Sequence, residues 1–171
     1  MQRPTLLVHG GAGAWADDLI AGARAGCDAA ADVAWAALAA GATALDAVQV
    51  AVAALEADPR FNAGPGSSLT ADGTVEMDAS IMDGGGPRGA GVAGIATVCS
   101  PIALARQVLD DGRHVLLVGA GAERLARAHG LATAPPESFV TAEQRRRWGD
   151  GAAAPPGTVG AVALDAAGRL A

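Results

Sequence analysis

The sequence contains no lysine: all twelve basic residues are arginine. A P-loop is therefore excluded, because its lysine must reach the terminal phosphates. Eighteen acidic residues give a formal net charge of −6, and the basic residues cluster only at Arg145-Arg146-Arg147. No nucleic-acid partner is expected from that balance. Aromatic residues make up 3% of the chain, too few for an aromatic binding surface. The two cysteines, Cys27 and Cys99, have neither metal-ligand spacing nor framework partners. They read as reduced, buried thiols of a cytoplasmic protein. Long apolar runs are lacking as well. Leu6-Leu7-Val8 is too short for a signal peptide, and the alanine-rich stretch 29–42 is interrupted by Asp32 and Gly41, so neither a leader nor a membrane span is expected. There is no Gly-x-Ser-x-Gly elbow for an esterase of the α/β-hydrolase type.

What is present is a 171-residue chain, 51% hydrophobic, with 24 glycines. That is enough for one domain with a real core and many glycine-shaped loops. Thr5 to His9 reads as a buried strand ending in Gly10-Gly11-Ala12-Gly13. The freed backbone N–H groups of that loop suit an oxyanion, or simply a tight turn. Asp17 to Ala40 reads as one helix, or two with a break near Gly26. Thr43 then caps a helix over about Ala44–Ala57, with Leu45, Val48, Val52 and Leu55 on one stripe. Strands are expected over Thr74–Met82 and Gly91–Val98, around a hairpin loop at 83–87. Glu76 and Asp78 share a face of the first, as an acid/base pair or as a solvated face. A helix from Ser100-Pro101 to about Asp110, a strand over His114–Val118 and a helix over Ala122–Ala128 follow. Gly119-Ala120-Gly121 suggests a dinucleotide turn, but Arg124 stands where the third glycine of that fingerprint belongs.

Residues 132–157 change character, with Pro135-Pro136, a possible short helix capped by Thr141, and Pro155-Pro156. A flexible approach thus leads to Gly157-Thr158, after which Thr158–Asp165 reads as a core strand. A threonine directly after a glycine suits a self-cleaving N-terminal nucleophile. Glycine permits the strained backbone, and cleavage would free an α-amine beside the hydroxyl. The same residues also suit a plain strand start. Asn62, in the loop 60–68, is either an amide donor to a reacting oxygen or a turn former.

Five stretches occur in order: His9-Gly10-Gly11-Ala12-Gly13; Leu45-Asp46-Ala47-Val48; Leu55-Glu56 with Phe61-Asn62-Ala63-Gly64; Glu76-Met77-Asp78-Ala79 with Met82-Asp83-Gly84; and Gly157-Thr158-Val159-Gly160-Ala161-Val162-Ala163-Leu164-Asp165. Together they resemble the plant-type L-asparaginases, or isoaspartyl peptidases, of the N-terminal nucleophile hydrolase superfamily. The resemblance implies an α+β fold, the four-layer αββα sandwich, incomplete in this chain. Residues 1–131 would be the α-subunit core, 132–157 a flexible linker before the cleavage site, and 158–171 the start of the β-subunit. It implies cleavage between Gly157 and Thr158, with Thr158 as nucleophile, Asn62 positioning or polarising around its hydroxyl, and Gly10 supporting the nucleophile region. It implies no cofactor. A structural sodium ion would be bound by carbonyls of Leu55, Glu56, Asp58, Phe61, Ala63 and Pro65, where Asp58 and Pro65 are unexpected types. L-asparagine and β-aspartyl dipeptides are the implied substrates, and the implied complete assembly is an (αβ)2 homo-oligomer.

The family's further threonines, its Arg and Asp substrate clamp and its oxyanion-hole Thr-Gly have no counterpart up to Ala171. A fragment, or a chain needing a partner for its missing β-subunit portion, is therefore expected, inactive as an amidase on its own. A glycosylasparaginase-like specificity and a non-catalytic assembly subunit are the alternatives.

Overall fold

In the computed structural model, the residues described are 2–12, 16–150 and 157–171. Gly13, at the end of the first glycine loop, and Pro155-Pro156 lie outside them.

Two small sheets carry the fold. Strand β1 (Thr5–His9) pairs antiparallel with β5 (Gly160–Leu164), with Leu7 opposite Val162 and His9 opposite Gly160. Strand β2 (Met77–Asp83) pairs antiparallel with β3 (Arg88–Ile95), and β3 pairs in parallel with β4 (Leu116–Val118). Helices α1 (Asp17–Ala39) and α2 (Ala44–Glu56) pack on each other, α1 against β1 and α2 against β5. Helices α3 (Pro101–Asp111) and α4 (Ala120–Ala128) cover the second sheet, and α3 also touches α2. Mixed helices and sheets of this kind make the chain α+β.

The expected elements form where local chemistry is unambiguous. Thr43 caps α2, its hydroxyl accepting from Asp46 N at 3.2 Å. Gly112, at φ +68, ends α3 in the left-handed conformation that glycine adopts without strain. Helix α1 runs unbroken through Gly26, where a break was one of the two options. Gly26 is there for contact, since a Cβ would sit 2.7 Å from both Asp58 Oδ2 and the Phe61 ring. Strand β2 begins at Met77, three residues later than expected, with an irregular register between Met77 and Ala79.

The stretch expected to be a linker, 132–157, is built in its upstream part. A 3-10 turn (Pro136–Phe139) buries Phe139, and α5 (Ala142–Gly149) follows with Thr141 as its cap. Phe139 brings enough apolar area to fix a segment whose composition reads as loose. Beyond β5, the chain turns at 166–168 and comes back, with Ala171 N donating to Ala163 O at 3.0 Å.

One hydrophobic cluster, centred on Leu104, Ile95, Val98 and Val108, joins α2, α3 and the second sheet. A smaller one contains Leu55 and Phe61 with Ala23 and Ala30, and Val8, Cys27 and Val159 pack against it. Val159 follows Thr158, so this smaller cluster sets the position of the candidate nucleophile.

Candidate active site

Phe61 is the base of the site. It is 1% exposed and packs with Ala23 and Ala30 of α1 and Leu55 of α2. A Cβ on Gly10 would come within 2.7 Å of that ring and 2.6 Å of Cys27 Sγ. Phe61 is thus held between Gly10 on one side and Gly26 on the other. Neither position has room for a side chain, which is a packing reason for glycine at both. Arg60 adds an outer strap, pairing with Asp58 and donating to the Gly22 carbonyl of α1.

The next residue, Asn62, is aimed by this arrangement. Its Oδ1 accepts from Ser68 N at 2.8 Å, and its Nδ2 donates to Gly157 O at 2.6 Å. The amide is therefore oriented at both ends, and its donor rests on the carbonyl of the Gly157–Thr158 peptide bond. Glycines 64 and 66 make the return of the loop possible. Gly64 has φ +51, and a Cβ on either residue would collide with backbone carbonyls, of Glu56 for Gly64 and of Phe61 for Gly66.

Thr158 is exposed, and its Oγ1 donates to Val159 O across a long 3.4 Å. The hydroxyl and the Gly157 carbonyl carbon are joined through Thr158 N, Cα and Cβ, so φ and χ1 of Thr158 together set their separation. Gly10 packs on Cys27 and Phe61, while its neighbour Gly11 faces the junction: at φ +119, a Cβ there would lie 3.5 Å from Thr158 O, 3.8 Å from Gly157 Cα and 3.9 Å from Thr158 N. Gly11 and Ser68 are the site residues that sequence reasoning passed over. Gly11 was in view as part of the glycine loop, whereas nothing local marks Ser68 as Asn62's holder.

The carbonyls assigned to sodium by resemblance lie on the same loop. Those of Asp58, Phe61 and Ala63 accept from Phe61, Ala63 and Gly66 N–H, and that of Leu55 accepts from both Ala57 and Asp58. A carbonyl with one such donor keeps a second lone pair. Neutral carbonyl oxygens on a tight turn fit a hard cation. Among the described residues no cluster of three or more His, Cys, Asp or Glu could hold a metal ion, so a cation here would be held by backbone.

The other acidic candidates resolve into structural partners. Asp78 Oδ1 accepts from Gly94 N at 2.8 Å, and Glu76 is exposed. Glu123 sits at the start of α4, where its Oε1 accepts from Ala96 N and Thr97 N. The Gly119-Ala120-Gly121 turn thus presents a carboxylate, the wrong charge for a pyrophosphate. Glu56 is buried, its Oε1 accepting from Ile102 N at 2.8 Å and its Oε2 from Ser100 Oγ at 2.7 Å. Burial pushes its carboxyl up to about 7 despite those two donors. Asp165, equally buried, accepts from Ala44, Ala167 and Arg169 backbone N–H groups and from Arg169 Nε. Burial pulls its pKa upward too, but these donors and the Arg169 charge outweigh it and hold the carboxyl below its usual range.

Thr158, Gly157 and Asn62 face an open groove of about 1110 Å³ between the two sheets, lined also by Glu56, Met82 and Val115. Its far walls are apolar and unfilled: Val115 is 76% exposed and Met82 57%.

The chain is similar in sequence to known proteins. Residues 2–155 match the family described as Asparaginase. The isoaspartyl peptidase/L-asparaginase of Xenopus laevis is 42% identical over 178 residues, covering 99% of this chain and 58% of the relative. The human protein of the same name is 42% identical over 180 residues, with 99% and 58% covered. A probable isoaspartyl peptidase/L-asparaginase of Drosophila melanogaster is 38% identical over 200 residues, with 99% and 60% covered. The chain thus spans 58 to 60% of the length of these relatives. By the family match across most of its length and by these identities, the chain belongs to the Asparaginase family.

Proposed function

We propose that this chain is the self-processing part of an amidohydrolase that acts on the side-chain amide of L-asparagine and on β-aspartyl dipeptides. The observation that carries it is the 2.6 Å hydrogen bond from Asn62 Nδ2 to Gly157 O. A neutral amide held at its oxygen by Ser68 N and donating from its nitrogen to a part-buried carbonyl is a preorganised oxyanion donor. The carbonyl it holds is the one preceding the only threonine of the β5 junction.

The chemistry follows from the atoms. Thr158 Oγ1 attacks the Gly157 carbonyl carbon, and the developing negative oxygen stays on Asn62 Nδ2. The C–N bond breaks as the hydroxyl's proton passes to the leaving Thr158 nitrogen, which leaves an ester. Water hydrolyses the ester, giving a Gly157 carboxylate and a Thr158 with free amine and hydroxyl. An α-amine titrates near pH ~8, so it can take the hydroxyl's proton in the amidase reaction that follows. Thr158 then attacks the substrate's side-chain carbonyl, ammonia or an amine leaves, and water releases aspartate. Sodium, if bound by the carbonyls of Leu55, Glu56, Asp58, Phe61, Ala63 and Pro65, supplies a fixed charge. The residues of the loop keep Asn62 in line.

The finer architecture is the αββα sandwich, and the groove supports it. Two sheets with helices on their outer sides and an apolar, open space between them accept further strands. Those strands would belong to the β-subunit portion that carries the substrate-gripping groups, in an (αβ)2 assembly. Two thiols, each free, suit a reducing, cytoplasmic setting. Among the described residues no helix is long and apolar enough to cross a membrane.

Intact-mass measurement on purified protein tests the proposal. Two pieces meeting between Gly157 and Thr158 are expected, and a single uncut mass for Thr158→Ala. A wild-type chain still whole after long incubation would sink it.

A further inference from the structure

Helix α5 ends only six residues, 151–156, ahead of Gly157, and its uncharged contacts all lead to one loop. Gln144 Nε2 donates to Gly66 O at 2.6 Å. Trp148 Nε1 donates to Ala71 O at 3.3 Å. The Trp148 indole also lies over Gly73, where φ is +73 and a Cβ would meet the ring at 2.9 Å. The helix's charged groups do something else: Arg146 and Arg147 pair with Glu143 and Asp150 of the same segment. The docking is therefore carried by Gln144 and Trp148.

The loop they dock on is the one that holds the scissile carbonyl. Gly66 is two residues from Ser68, whose N–H orients Asn62, whose amide in turn holds Gly157 O. We propose that α5 is a positioning clamp for self-cleavage: Gln144 and Trp148 anchor the chain upstream of residues 151–156 to the same loop that binds it downstream. The clamp rests on self-processing at Thr158.

Its effect can be sized from chain entropy. In sequence, six residues, 151–156, separate the last described residue after α5 from Gly157; without α5 the next buried aromatic upstream is Phe139, and seventeen residues, 140–156, separate it from Gly157. Loop-closure probability falls as the 3/2 power of length, so the Gly157 carbonyl should meet Asn62 about 5-fold less often.

The experiment is a time course of intact-chain loss, by mass, for the protein expressed from its full reading frame. The double variant Gln144→Ala/Trp148→Ala should cleave about 5-fold more slowly than wild type. Inserting six Gly/Ser residues within 151–156 should slow the wild type about 3-fold but the double variant less than 2-fold. A helix that only stabilises the fold would not make the rate depend on tether length in this way. Should the double variant misfold, the insertion into wild type alone decides, and an unchanged rate there overturns the clamp. Thr158→Ala separates the two ideas. If wild type cleaves, Thr158→Ala does not, and the double variant keeps the wild-type rate, the clamp falls and self-processing stands. If wild type does not cleave, both fall.

Discussion

The two sides of Thr158 are built in opposite ways. Behind it, Gly10, Gly26 and Cys27 close on the Phe61 ring with no space for a methyl group at either glycine. In front of it, Val115, Met82 and Val162 line a groove and stay more than half exposed. The rear is set by backbone approach, and its target is a carbonyl of the same chain at a fixed place. Rigid preorganisation suits such a target. The front is open, and among the described residues its apolar strands are left without a covering layer. The difference teaches that the groups closing on the Gly157–Thr158 peptide are local to loops 10–11 and 61–68, whereas the groove in front has no counterpart of that tightness.

The strongest test of the contrast removes the rear base. Phe61→Ala deletes a fully buried aromatic ring, and the glycines around it cannot collapse into the space. A loss of about 3–5 kcal/mol is expected, read by urea denaturation in a Thr158→Ala background so that cleavage does not intervene. A loss under about 1 kcal/mol would mean that the cradle is not rigid. Next in size is Asn62→Ala. Removing one oxyanion donor costs about 10²–10³ in rate in other hydrolases, and the same slowing of self-cleavage is expected by mass time course. A wild-type rate would make Asn62 a turn former and nothing more.

How much of this was legible depends on where the cause lies. Helix α2 could be read because its apolar stripe and its Thr43 cap are local. Gly26 could not, because a glycine inside a helix looks like a break until Phe61, 35 positions on, is placed against it. Asn62 stood out locally only as an amide donor or a turn former, because its partner Gly157 is 95 residues away. Gln144 was hidden for the same reason, since its acceptor, Gly66, lies 78 residues back. In 132–157, the short helix capped by Thr141 was open to the sequence because its cap is local, whereas the docking of Phe139 and Trp148 on distant segments was not. Single elements came from periodicity and caps, the α+β class from the resemblance; the site came from long-range approach, which periodicity does not encode.

A pH titration compares the two buried carboxylates. Glu56, at the groove, has its pKa raised to about 7 from 4.5, while Asp165, at the rear, is lowered. Below pH 4.5 Glu56 is protonated both folded and unfolded. Between 4.5 and about 7 only the unfolded chain releases the proton, so stability falls, and it levels off above 7. The total is on the order of 3 kcal/mol. Asp165 works the other way: its contribution is present above its unfolded pKa and is lost as pH falls through the lower, folded value. Glu56→Gln should remove the decline from pH 5 to 7, because an amide can accept from Ile102 N and donate to Ser100 Oγ. Stability curves of Glu56→Gln and Thr158→Ala proteins that run parallel over that range would deny Glu56 its raised pKa.

The smallest effect belongs to the groove itself. Val115 is 76% exposed, so Val115→Ser removes little packing, and its cost to the isolated chain should stay within about 0.5 kcal/mol. The measurement gains its force from the contrast with Phe61. If this wall is open, a polar residue there is tolerated while a deletion behind Thr158 is not. A cost above about 2 kcal/mol would show that Val115 is covered in solution, by a second copy of the chain or by further polypeptide, and that the front is as closed as the rear. Repeating the denaturation at several protein concentrations tells the two covers apart, because only a second copy makes the midpoint rise with concentration.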